Sequence, residues 1–481
     1  MKLTLGEVAR ISGATLVGGA AATPVTGICV DSRRVGPGEL FVAFPGEFAD
    51  GHAFVESALR AGAAAAMVTR LAEGTAGGTA GAPLEPLLVV EDPLAALRAL
   101  GAWVRDVADP IVAGITGSTG KTSTKDLLAS VAGVKFRTIA AERSHNNELG
   151  VPLTLLRLRE DTEVLVCELG ARAPGQIRDL CAYVRPQIGV VTNVGVTHYE
   201  QFGSVDAIVA AKSELVASLP EGGVAVLNAD DPAVAGMASV TAAEVLTYGL
   251  AGGPPPAARV WLRGEAVEVD AFGRPSFRMV RGHEHRNVAL GISGRHQVAN
   301  ALAAAAAGLA LGMSLDEVSL GLERAKSSPW RMEVTERGGV VVVNDAYNAN
   351  PTSVAAALGT CAEMVPPGGR LLAVLGYMAE LGDLEAREHE RAGALAAQVV
   401  QRLVAVGERA APMANGARLA GLGDVVVVPH GSGVDGVLEA LGDLRPGDVV
   451  LVKASRVAGL ERVAPRLEAL VASQGGQAEA S

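Results

Sequence analysis

Ile111-Val112-Ala113-Gly114-Ile115-Thr116-Gly117-Ser118-Thr119-Gly120-Lys121-Thr122 is the stretch of sequence that decides the fold. Its first six residues form an apolar run that predicts a buried strand, and a helical pattern begins near Lys121. Small residues between the two leave backbone N–H groups free to surround an anion, and the helix directs its positive end at the same point. The stretch therefore predicts a phosphate-binding loop, with Lys121 on the β/γ-phosphates and the Thr122 hydroxyl on Mg²⁺.

The glycines of this loop depart from the strict nucleotide-loop pattern GxxxxGK followed by Ser or Thr. That pattern requires glycine at position 115, where this chain has Ile115, and the glycines of this loop stand at 114, 117 and 120. The alternative is a glycine-rich turn between strand and helix that carries a lysine by chance. Because strand, glycines, lysine and threonine coincide, we favour the phosphate loop.

Strands and helices alternate on both sides of the loop. Apolar runs at 163–168, 188–192 and 223–227 predict strands in the middle of the chain, and 93–107 predicts a helix before it. Further strands are predicted at 340–344, 371–375, 403–406, 425–428 and 448–452, separated by helical stretches such as 353–364 and 386–401. Such alternation is typical of parallel sheets covered by helices.

We therefore predict an α/β protein of three domains. The second and third domains are predicted to join at residues 326–329. Residues 1–108 form a small mixed α/β domain, residues 109–328 a central parallel-sheet domain with the phosphate loop, and residues 329–481 a Rossmann-like doubly wound domain. The length of 481 residues agrees with three domains of about 150 residues each.

Composition excludes several classes of protein. Hydrophobic residues make up 49% of the chain, which excludes disorder of the whole chain. The net charge of −11 argues against a nucleic-acid or anionic-membrane binder, although one local basic pocket suffices for a small anion. Four scattered cysteines without a CxxC pair, and no signal-like or membrane-spanning apolar stretch, predict a cytoplasmic protein with reduced thiols and no stable membrane insertion.

Three segments carry weaker signals for local structure. Residues 73–86 and 251–258 are rich in glycine and proline and are predicted to be loops. The uncharged, alanine-rich stretch 297–315 is predicted to be a tightly packed helix. The last ten residues, 472–481, are predicted to be a loose tail.

Further short motifs follow one another across almost the whole chain. They are Asn146-Asn147 with Gly150-Val151-Pro152, Glu168-Leu169-Gly170, Thr192-Asn193-Val194-Gly195 with His198, Lys212, Gly294-Arg295-His296 with Asn300, and Trp330-Arg331-Met332-Glu333. Together with the phosphate loop, this series resembles the Mur ligases, which are also similar to folylpolyglutamate synthases. The resemblance implies an ADP-forming ligase of peptidoglycan precursor synthesis. It would phosphorylate a carboxylate with ATP and let an amine attack the acyl phosphate.

Two motifs of the last domain point to one branch of the family. Asp345-Ala346-Tyr347-Asn348-Ala349-Asn350-Pro351 and Leu375-Gly376-Tyr377-Met378-Ala379-Glu380-Leu381-Gly382 are similar to members that add D-alanyl-D-alanine to UDP-N-acetylmuramoyl-tripeptide. The alternatives are a ligase that adds the third stem-peptide residue and a folylpolyglutamate synthase-like ligase. The former usually carries Asp-Asn-Pro-Arg, which is absent here, and the latter lacks a block such as Asp31-Ser32-Arg33.

Two readings from other classes of protein are less favoured. A GTPase-type switch would need an Asn-Lys-x-Asp guanine reader, and this motif is absent from the chain. A catalytically dead scaffold would have no reason to retain the four residues Lys121, Thr122, Glu168 and Lys212. The resemblance to the ligases also leads us to expect a monomer.

The resemblance assigns residues to ATP and to two Mg²⁺ ions. Residues 117–123, namely Gly117, Ser118, Thr119, Gly120, Lys121, Thr122 and Ser123, would surround the phosphates. Asn300 would read the adenine, Arg331 the γ-phosphate and Asp345 the ribose. The metal ligands would be Thr122, Glu168, His198 and Lys212, and the catalytic groups Lys121, Lys212, His198 and Arg331.

Several of these residues also have a structural interpretation that requires no ligand. Glu168 ends a strand, where carboxylates hold metals but also cap helices. His198 could be structural, because imidazole suits softer metals than Mg²⁺. Asn300 could cap a helix, and Arg331 with Asp345 could form an ordinary ion pair between domains.

Lys212 would serve as a metal ligand only after chemical modification. In the family the matching lysine reacts with CO₂, and the resulting carbamate is an anion in place of a cation. This reaction requires a neutral amine, and hence a pocket that lowers the lysine pKa. The alternative is a solvated helix lysine paired with a neighbouring acid.

The substrate-binding residues are also implied by the resemblance. Ser32, Arg33 and Phe41 would contact the UDP moiety, Asn146 and Asn147 would lie between ATP and the muramyl substrate, and Asn348 and Asn350 would orient the dipeptide. Turn and ion-pair sequences are the alternatives for the first and last of these sets. Ala454 stands where the family usually has glycine, so its β-carbon casts doubt on how closely that loop approaches substrate.

Overall fold

The computed structural model describes residues 3–46, 50–71, 84–250 and 260–478. Within these ranges the chain divides into two compact units. The first contains the described parts of 1–112, 136–169 and 179–185, and the second those of 113–135, 170–178 and 186–481. The domain boundaries at 108/109 and 328/329 stay predictions.

The described residues from 3 to 108 contain seven strands and three α-helices. The strands are β1 (Leu3–Thr4), β2 (Thr15–Val17), β3 (Pro24–Val25), β4 (Gly27–Cys29), β5 (Glu39–Val42), β6 (Ala65–Val68) and β7 (Leu87–Val89). The helices are α1 (Leu5–Ser12), α2 (Val55–Arg60) and α3 (Pro93–Ala108). Asp92 caps α3 by accepting the Leu94 N–H, and Pro93 follows it at the first helical position, as the sequence pattern indicates.

The middle of the chain continues the alternation and ends in a run of strands. Its strands are β8 (Ile111–Thr116), β9 (Thr138–Ala140), β10 (Val164–Glu168), β11 (Ile188–Val191), β12 (Val224–Asn228), β13 (Glu244–Gly249), β14 (Val260–Val269), β15 (Pro275–Arg281) and β16 (Glu284–Ala289). Its helices are α4 (Lys121–Ala132), α5 (Gly150–Leu155), α6 (Gln176–Val184), α7 (Tyr199–Phe202), α8 (Val205–Ala217), α9 (Pro232–Gly236), α10 (Gln297–Ala310) and α11 (Leu315–Glu323).

The last part of the chain alternates strands and helices to its end. Its strands are β17 (Glu333–Arg337), β18 (Val340–Asp345), β19 (Leu371–Gly376), β20 (Arg402–Val406), β21 (Val425–Val428) and β22 (Val449–Lys453). Its helices are α12 (Pro351–Met364), α13 (Glu385–Ala396), α14 (Ala411–Leu419), α15 (Gly433–Leu441) and α16 (Val463–Ala478).

The first unit is built on a five-stranded sheet in the order β2-β7-β6-β5-β4. β4 to β7 run parallel and β2 runs antiparallel to β7. Leu40, Met67 and Leu88 pack from this sheet against Leu97 and Leu100 of α3. The unit also holds the parallel pair β9 and β10, in which Val164 lies opposite Thr138.

The second unit holds a strand series in the order β16-β15-β14-β13-β12-β11-β8. Neighbours from β8 to β14 run parallel, whereas β14, β15 and β16 form an antiparallel meander. Gly189 of β11 lies opposite Gly114 of β8, so both strands end side by side at the phosphate loop. The carboxyl ends of parallel strands form the edge at which ligands bind in such sheets.

The second sheet of this unit has the order β17-β18-β22-β19-β20-β21, and only β17 runs antiparallel. Every residue of β19 is buried. Leu371, Ala373 and Leu375 pack on one face, while Leu372 and Val374 pack on the other. The sheet is thus covered on both sides, which confirms the doubly wound domain and, with it, the α/β fold class.

Helix α4, which begins at the phosphate loop, is packed tightly against α10 and α11. A β-carbon on Gly308 of α10 would approach Val131 Cγ1 to 2.7 Å, and one on Gly321 of α11 would approach Val131 Cα to 2.4 Å. Glycine is therefore required at both contacts. The close packing fixes the helix whose first residue is Lys121.

Several local expectations need correction. The stretch 297–315 is not one helix, because Ser314 caps the start of α11 and separates it from α10. Residues 472–478 continue α16, so the loose tail is wrong for them, since helical hydrogen bonding outweighs the weak local propensity. The predicted loop residues 73–83 and 251–258, and residues 479–481, lie outside the described ranges. No helix within these ranges is long and apolar enough to cross a membrane.

Candidate functional site

The loop between β8 and α4 has the backbone that its glycines permit. Gly117 has φ 147° and Gly120 has φ 79°, both in the left-handed range that disfavours other residues. A β-carbon on Gly117 would lie 1.9 Å from Thr192 Oγ1, and one on Gly120 would lie 2.3 Å from Asn300 Oδ1. Both glycines are therefore required by backbone angle and by space.

Residues that follow β11 hold this loop in place. Thr192 Oγ1 donates to the Thr119 carbonyl at 2.6 Å, and Asn193 Oδ1 accepts the Thr119 N–H at 2.9 Å. Ser118 Oγ exchanges hydrogen bonds with the backbone of Gly195, at 2.9 Å to its carbonyl and 2.8 Å from its N–H. The Thr-Asn-Val-Gly motif thus shapes the loop, a role that the sequence alone did not reveal.

The two loop residues with the sharpest predicted roles lie at the start of α4. Lys121 Nζ donates to the Gly117 carbonyl at 2.6 Å, so its ammonium lies at the loop. Arg331 Nη2 donates to Thr122 Oγ1 at 2.8 Å, and the Arg331 guanidinium stacks 4.0 Å from the centre of the Tyr347 ring. The structure therefore brings Lys121, Thr122 and Arg331 together at one point, with buried Ser123 beside them.

Asn300 also lies next to the loop, one turn into α10. Its side chain donates to Gln297 Oε1 at 2.8 Å and lies 3.4 Å from Thr124 Oγ1. The N-cap position of α10 is His296, so the helix-capping alternative for Asn300 is wrong. Its predicted contact with adenine stays a prediction.

Lys212 is a buried cation on α8. Its side chain is 3% exposed, and no carboxylate within hydrogen-bonding distance is among the contacts of the described residues. Burial, and after it the positive charge of Lys121, lower the pKa of Lys212 to about 7. Among the described residues Lys212 is therefore not the solvated helix lysine paired with an acid that the sequence also allowed. With a pKa of about 7, a large fraction of the Lys212 amine is neutral at neutral pH.

His198 faces a carboxylate that the sequence did not link to it. His198 Nδ1 lies 2.5 Å from Glu380 Oε2, and Arg172 Nη2 lies 3.4 Å from the other oxygen. His198 Nδ1 has no partner with hydrogen-bond geometry among the described residues, so we describe a close contact between ring and carboxylate. The neighbouring His198 is the main cause that lowers the pKa of Glu380.

Asp345 has a buried cation as its partner. Lys453 Nζ donates to Asp345 Oδ2 at 2.6 Å and to the Asn348 carbonyl at 2.8 Å, and the Met332 N–H donates to Asp345 Oδ1 at 3.1 Å. Lys453 was not singled out as a functional residue, because one lysine at a strand end is a weak signal. These bonds orient the Asp345 carboxylate, whose contact with ribose stays a prediction.

The β-carbon of Ala454 packs against Gly376 of the neighbouring strand. Ala454 is fully buried, and a β-carbon on Gly376 would come within 2.7 Å of Ala454 Cβ. The methyl group of Ala454 fills the space that Gly376 leaves at the end of the neighbouring strand, and how closely this loop approaches substrate stays a prediction.

The first unit holds Glu168 and the asparagine pair. Asn146 Nδ2 donates to Glu168 Oε1 at 2.7 Å, and Glu168 is buried at the end of β10. Asn147 Oδ1 accepts the Gly150 N–H at 2.9 Å and so fixes the turn before α5. Asn146 and Glu168 thus lie together, as two predicted site residues should.

The predicted UDP-binding residues of this unit have local partners. Arg33 is exposed and makes two hydrogen bonds of 2.8 Å with Asp31, which lowers the pKa of Asp31 to about 2. Ser32 lies between them in a short 3₁₀ turn. Phe41 is buried in the core with Val55 and Leu87, so it offers little surface to a ligand as the structure stands.

The two asparagines of the last domain differ in their surroundings. Asn350 is the N-cap of α12, where its Oδ1 accepts the Ser353 N–H at 2.9 Å. Asn348 is exposed, and its carbonyl accepts a hydrogen bond from Lys453. The turn interpretation therefore describes Asn350 well, and Asn348 is the better candidate of the two for a substrate contact.

Comparisons with known proteins place this chain beside one family of enzymes. Three family models match the chain: the Mur ligase family catalytic domain at residues 24–102, the Mur ligase middle domain at 115–308, and the Mur ligase glutamate ligase domain at 330–456. UDP-N-acetylmuramoyl-tripeptide–D-alanyl-D-alanine ligase of Mycobacterium tuberculosis is 42% identical, with 98% of each chain covered. The Escherichia coli protein of the same name is 33% identical, with 97% of this chain and 99% of its own covered.

Solved structures give the same picture. A crystal structure of MurF from Acinetobacter baumannii matches with a TM-score of 0.82 and 28% identity, covering 97% of this chain and 99% of that chain. MurF ligase from Thermotoga maritima in complex with ADP matches with a TM-score of 0.77 and 28% identity, covering 93% and 98%.

Proposed function

The chain belongs to the Mur ligase family, and on that premise we propose that it adds D-alanyl-D-alanine to UDP-N-acetylmuramoyl-tripeptide. The reaction consumes ATP, releases ADP and belongs to peptidoglycan precursor synthesis. The observation that carries the proposal is the meeting of Lys121, Thr122 and Arg331 at the phosphate loop of a chain similar over its full length to ligases of that name. We also propose that it works as a cytoplasmic monomer without stable membrane insertion.

The chemistry requires a carboxylate to become an electrophile. The terminal carboxylate of the tripeptide attacks the γ-phosphorus of ATP, ADP leaves, and the amine of D-alanyl-D-alanine displaces phosphate from the acyl phosphate. Lys121 and Arg331 contribute positive charge where the phosphoryl group moves, and the loop N–H groups orient it. Asn300 and Asp345 are proposed to hold adenine and ribose.

Substrate contacts are proposed for residues of both units. Ser32, Arg33 and Phe41 are proposed for the UDP moiety, and Asn146 with Asn147 for the muramyl substrate. Asn348 and Asn350 are proposed for the dipeptide, in which Asn348 is the more accessible residue.

Magnesium is proposed as a partner of Thr122, Glu168, His198 and Lys212. Among the described residues no group of three or more His, Cys, Asp or Glu side chains could hold a metal on its own. This fits Mg²⁺, which usually binds few protein ligands and keeps waters and phosphate oxygens. When bound, Mg²⁺ neutralises charge on the phosphates.

Lys212 fits this scheme only as a carbamate. The burial of its amine and the lowering of its pKa to about 7 leave a neutral amine that can attack CO₂. The N–C bond forms as the amine loses a proton, and the product carries a negative charge that suits Mg²⁺. CO₂ is thus proposed as a cofactor held on Lys212.

The identity of the amine substrate is tested by measuring ADP release with UDP-N-acetylmuramoyl-tripeptide and either D-alanyl-D-alanine or diaminopimelate. We expect ADP release only with D-alanyl-D-alanine, and release only with diaminopimelate would contradict the proposal. K121A should abolish turnover without unfolding the protein. K135A is the matched control, since Lys135 lies beyond the end of α4 and is partly exposed beside Glu317.

The carbamate is tested by ¹³C NMR with ¹³CO₂ and by activity in CO₂-depleted buffer. We expect a carbamate signal that K212A lacks, and a loss of activity that bicarbonate restores. Because the neutral fraction of Lys212 falls about tenfold per pH unit below its pKa, carbamate formation should slow as the pH falls below about 7. K212R should stay inactive, and a small carboxylic acid should partly rescue K212A. A bare amine in active enzyme would refute the carbamate.

A further inference from the structure

The loop of residues 377–382, which follows β19, is held by side chains from two other segments. The Met378 N–H donates to His389 Nε2 at 2.8 Å, and the Ala379 N–H donates to Ser455 Oγ at 2.9 Å. Two successive amides are thus bound by side chains and not by a neighbouring strand. Side-chain contacts of this kind fix a loop in one conformation.

His389 makes its bond to the loop as a neutral ring of defined tautomer. The residue lies on α13, is fully buried, and its Nδ1 lies 2.7 Å from the Glu385 carbonyl. A carbonyl only accepts, so Nδ1 carries the proton and Nε2 is left as the acceptor for Met378. Burial is the main cause that lowers the pKa of His389, so the ring stays neutral.

The loop carries Glu380 to His198. Glu380 has φ 62° and His198 has φ 54°, so both non-glycine residues stand in the left-handed region. Such conformations cost of order 1–3 kcal/mol each and persist only where the surroundings enforce them. A backbone bond of 3.3 Å from the Glu200 N–H to the Glu380 carbonyl ties the two segments together, beside the Glu380–His198 contact.

We propose that His389 is a positioning residue for the ligation reaction, since its bond to Met378 sets the loop so that Glu380 stays against His198. Carboxylates that orient a histidine are worth about 10–100-fold in activity or metal affinity in other enzymes. The proposal rests on the proposed function only in that His198 takes part in the reaction. It assigns a role to a buried histidine and to a motif that the phosphate chemistry leaves unexplained.

Two substitutions of His389 separate the role of Nε2 from simple packing. In H389Q the amide oxygen can occupy the place of Nε2 and accept the Met378 N–H. In H389N the shorter side chain keeps a donor near the Glu385 carbonyl but loses the acceptor. We expect H389Q to keep kcat within about threefold, and H389N to lose about 10–100-fold in kcat with the KM for ATP nearly unchanged.

A double-mutant cycle with Glu380 tests the path of the effect. E380A should lose activity to a similar degree, and H389N in the E380A background should cause little further loss, because both act through one contact. If H389N does not fold, S455A, which frees the next amide of the loop, replaces it in the cycle. Additive losses would overturn the proposal, and so would equal losses in H389Q and H389N.

A measurement without turnover separates this inference from the identity of the substrates. The chain has eight histidines, so the ring ¹⁵N signals of His198 can be assigned by mutation. H389N and E380A should shift the His198 signals, whereas H389Q should not. H52N is the matched control, since His52 Nε2 also accepts a backbone N–H, from Thr69, but in the first unit. Unshifted His198 signals in H389N would refute the positioning role even if D-alanyl-D-alanine is the amine substrate. If another amine is the substrate, the proposed function fails but the shifts are still expected.

Discussion

Two loops at strand ends of the second unit are fixed in shape, but they differ in the residues that form their bends. The phosphate loop after β8 bends at Gly117 and Gly120, and the neighbouring residues after β11 bind its backbone. The 377–382 loop after β19 places a non-glycine residue, Glu380, at positive φ and is held by His389 and Ser455. Both loops are thus held by side chains distant in sequence, but the first bends at glycines, whereas the second also holds a non-glycine residue at positive φ.

This difference determines which loop can be recognised from sequence. Glycines between an apolar run and a helical run form a local signal, because the residues that must adopt positive φ are themselves the glycines that can do so. His389, which is eleven residues beyond the Met378 amide that it binds, carries no local signal, since nothing in the sequence shows that its ring will be buried and bonded to an amide. The three predictions below test this contrast.

The largest effect is expected for G117A. The substitution combines φ 147° with a β-carbon 1.9 Å from Thr192 Oγ1, so the loop must move. We expect turnover to fall by more than about 100-fold, with weaker nucleotide binding measured by calorimetry. G421A is the control, because Gly421 has φ 95° but nothing within 4 Å of a β-carbon. Its cost should be limited to backbone strain of about 1–2 kcal/mol, and equal effects would refute the steric argument.

An intermediate effect is expected for G376A, just before the second loop. The new β-carbon would lie 2.7 Å from Ala454 Cβ, which should destabilise the protein by about 1–3 kcal/mol in denaturant unfolding. The double variant G376A/A454G removes the opposing methyl group and should recover most of that loss. If the double variant is no more stable than G376A, the contact is not the cause.

The smallest effects are expected for a crossed pair of substitutions. T192V removes the hydroxyl that binds the Thr119 carbonyl at 2.6 Å, and S455A removes the acceptor of the Ala379 N–H. Each hydrogen bond is worth about 0.5–1.5 kcal/mol, or roughly 2–10-fold. T192V should raise the KM for ATP by that factor with little change in kcat. S455A should lower kcat and leave the KM for ATP unchanged. The reverse assignment would show that the two loops are not separate.

The alternation of strands and helices was predictable because each signal is local. Ile111–Thr116 and Val425–Val428 are strands with the predicted bounds, and Pro93–Ala108 extends the predicted helix by one residue. The confirmed doubly wound sheet of the last domain follows from such runs. The meander β14 to β16 was missed, because its strands alternate polar and apolar residues and follow a segment rich in glycine and proline.

The candidate site was predictable in part through the resemblance of its motifs to the Mur ligases. Lys121, Thr122 and Arg331 meet as the motifs suggest, and Asn146 meets Glu168. Lys453 and His389 were assigned no role, and Glu380 was quoted only as part of a motif, because their importance comes from partners far along the chain. Phe41 lies in the core of the first unit, as an aromatic residue beside a ligand motif often does, and its contact with the UDP moiety stays a prediction.

The packing of α4 limits how this protein can deform during a catalytic cycle. Gly308 and Gly321 let α10 and α11 come so close to Val131 that α4 has no room to slide along either neighbour. Shear between packed helices, which requires side chains to exchange neighbours smoothly, is therefore blocked at this place. We therefore expect a rearrangement that moves Lys121 to carry α4, α10 and α11 together, with bending in connecting segments such as residues 324–332.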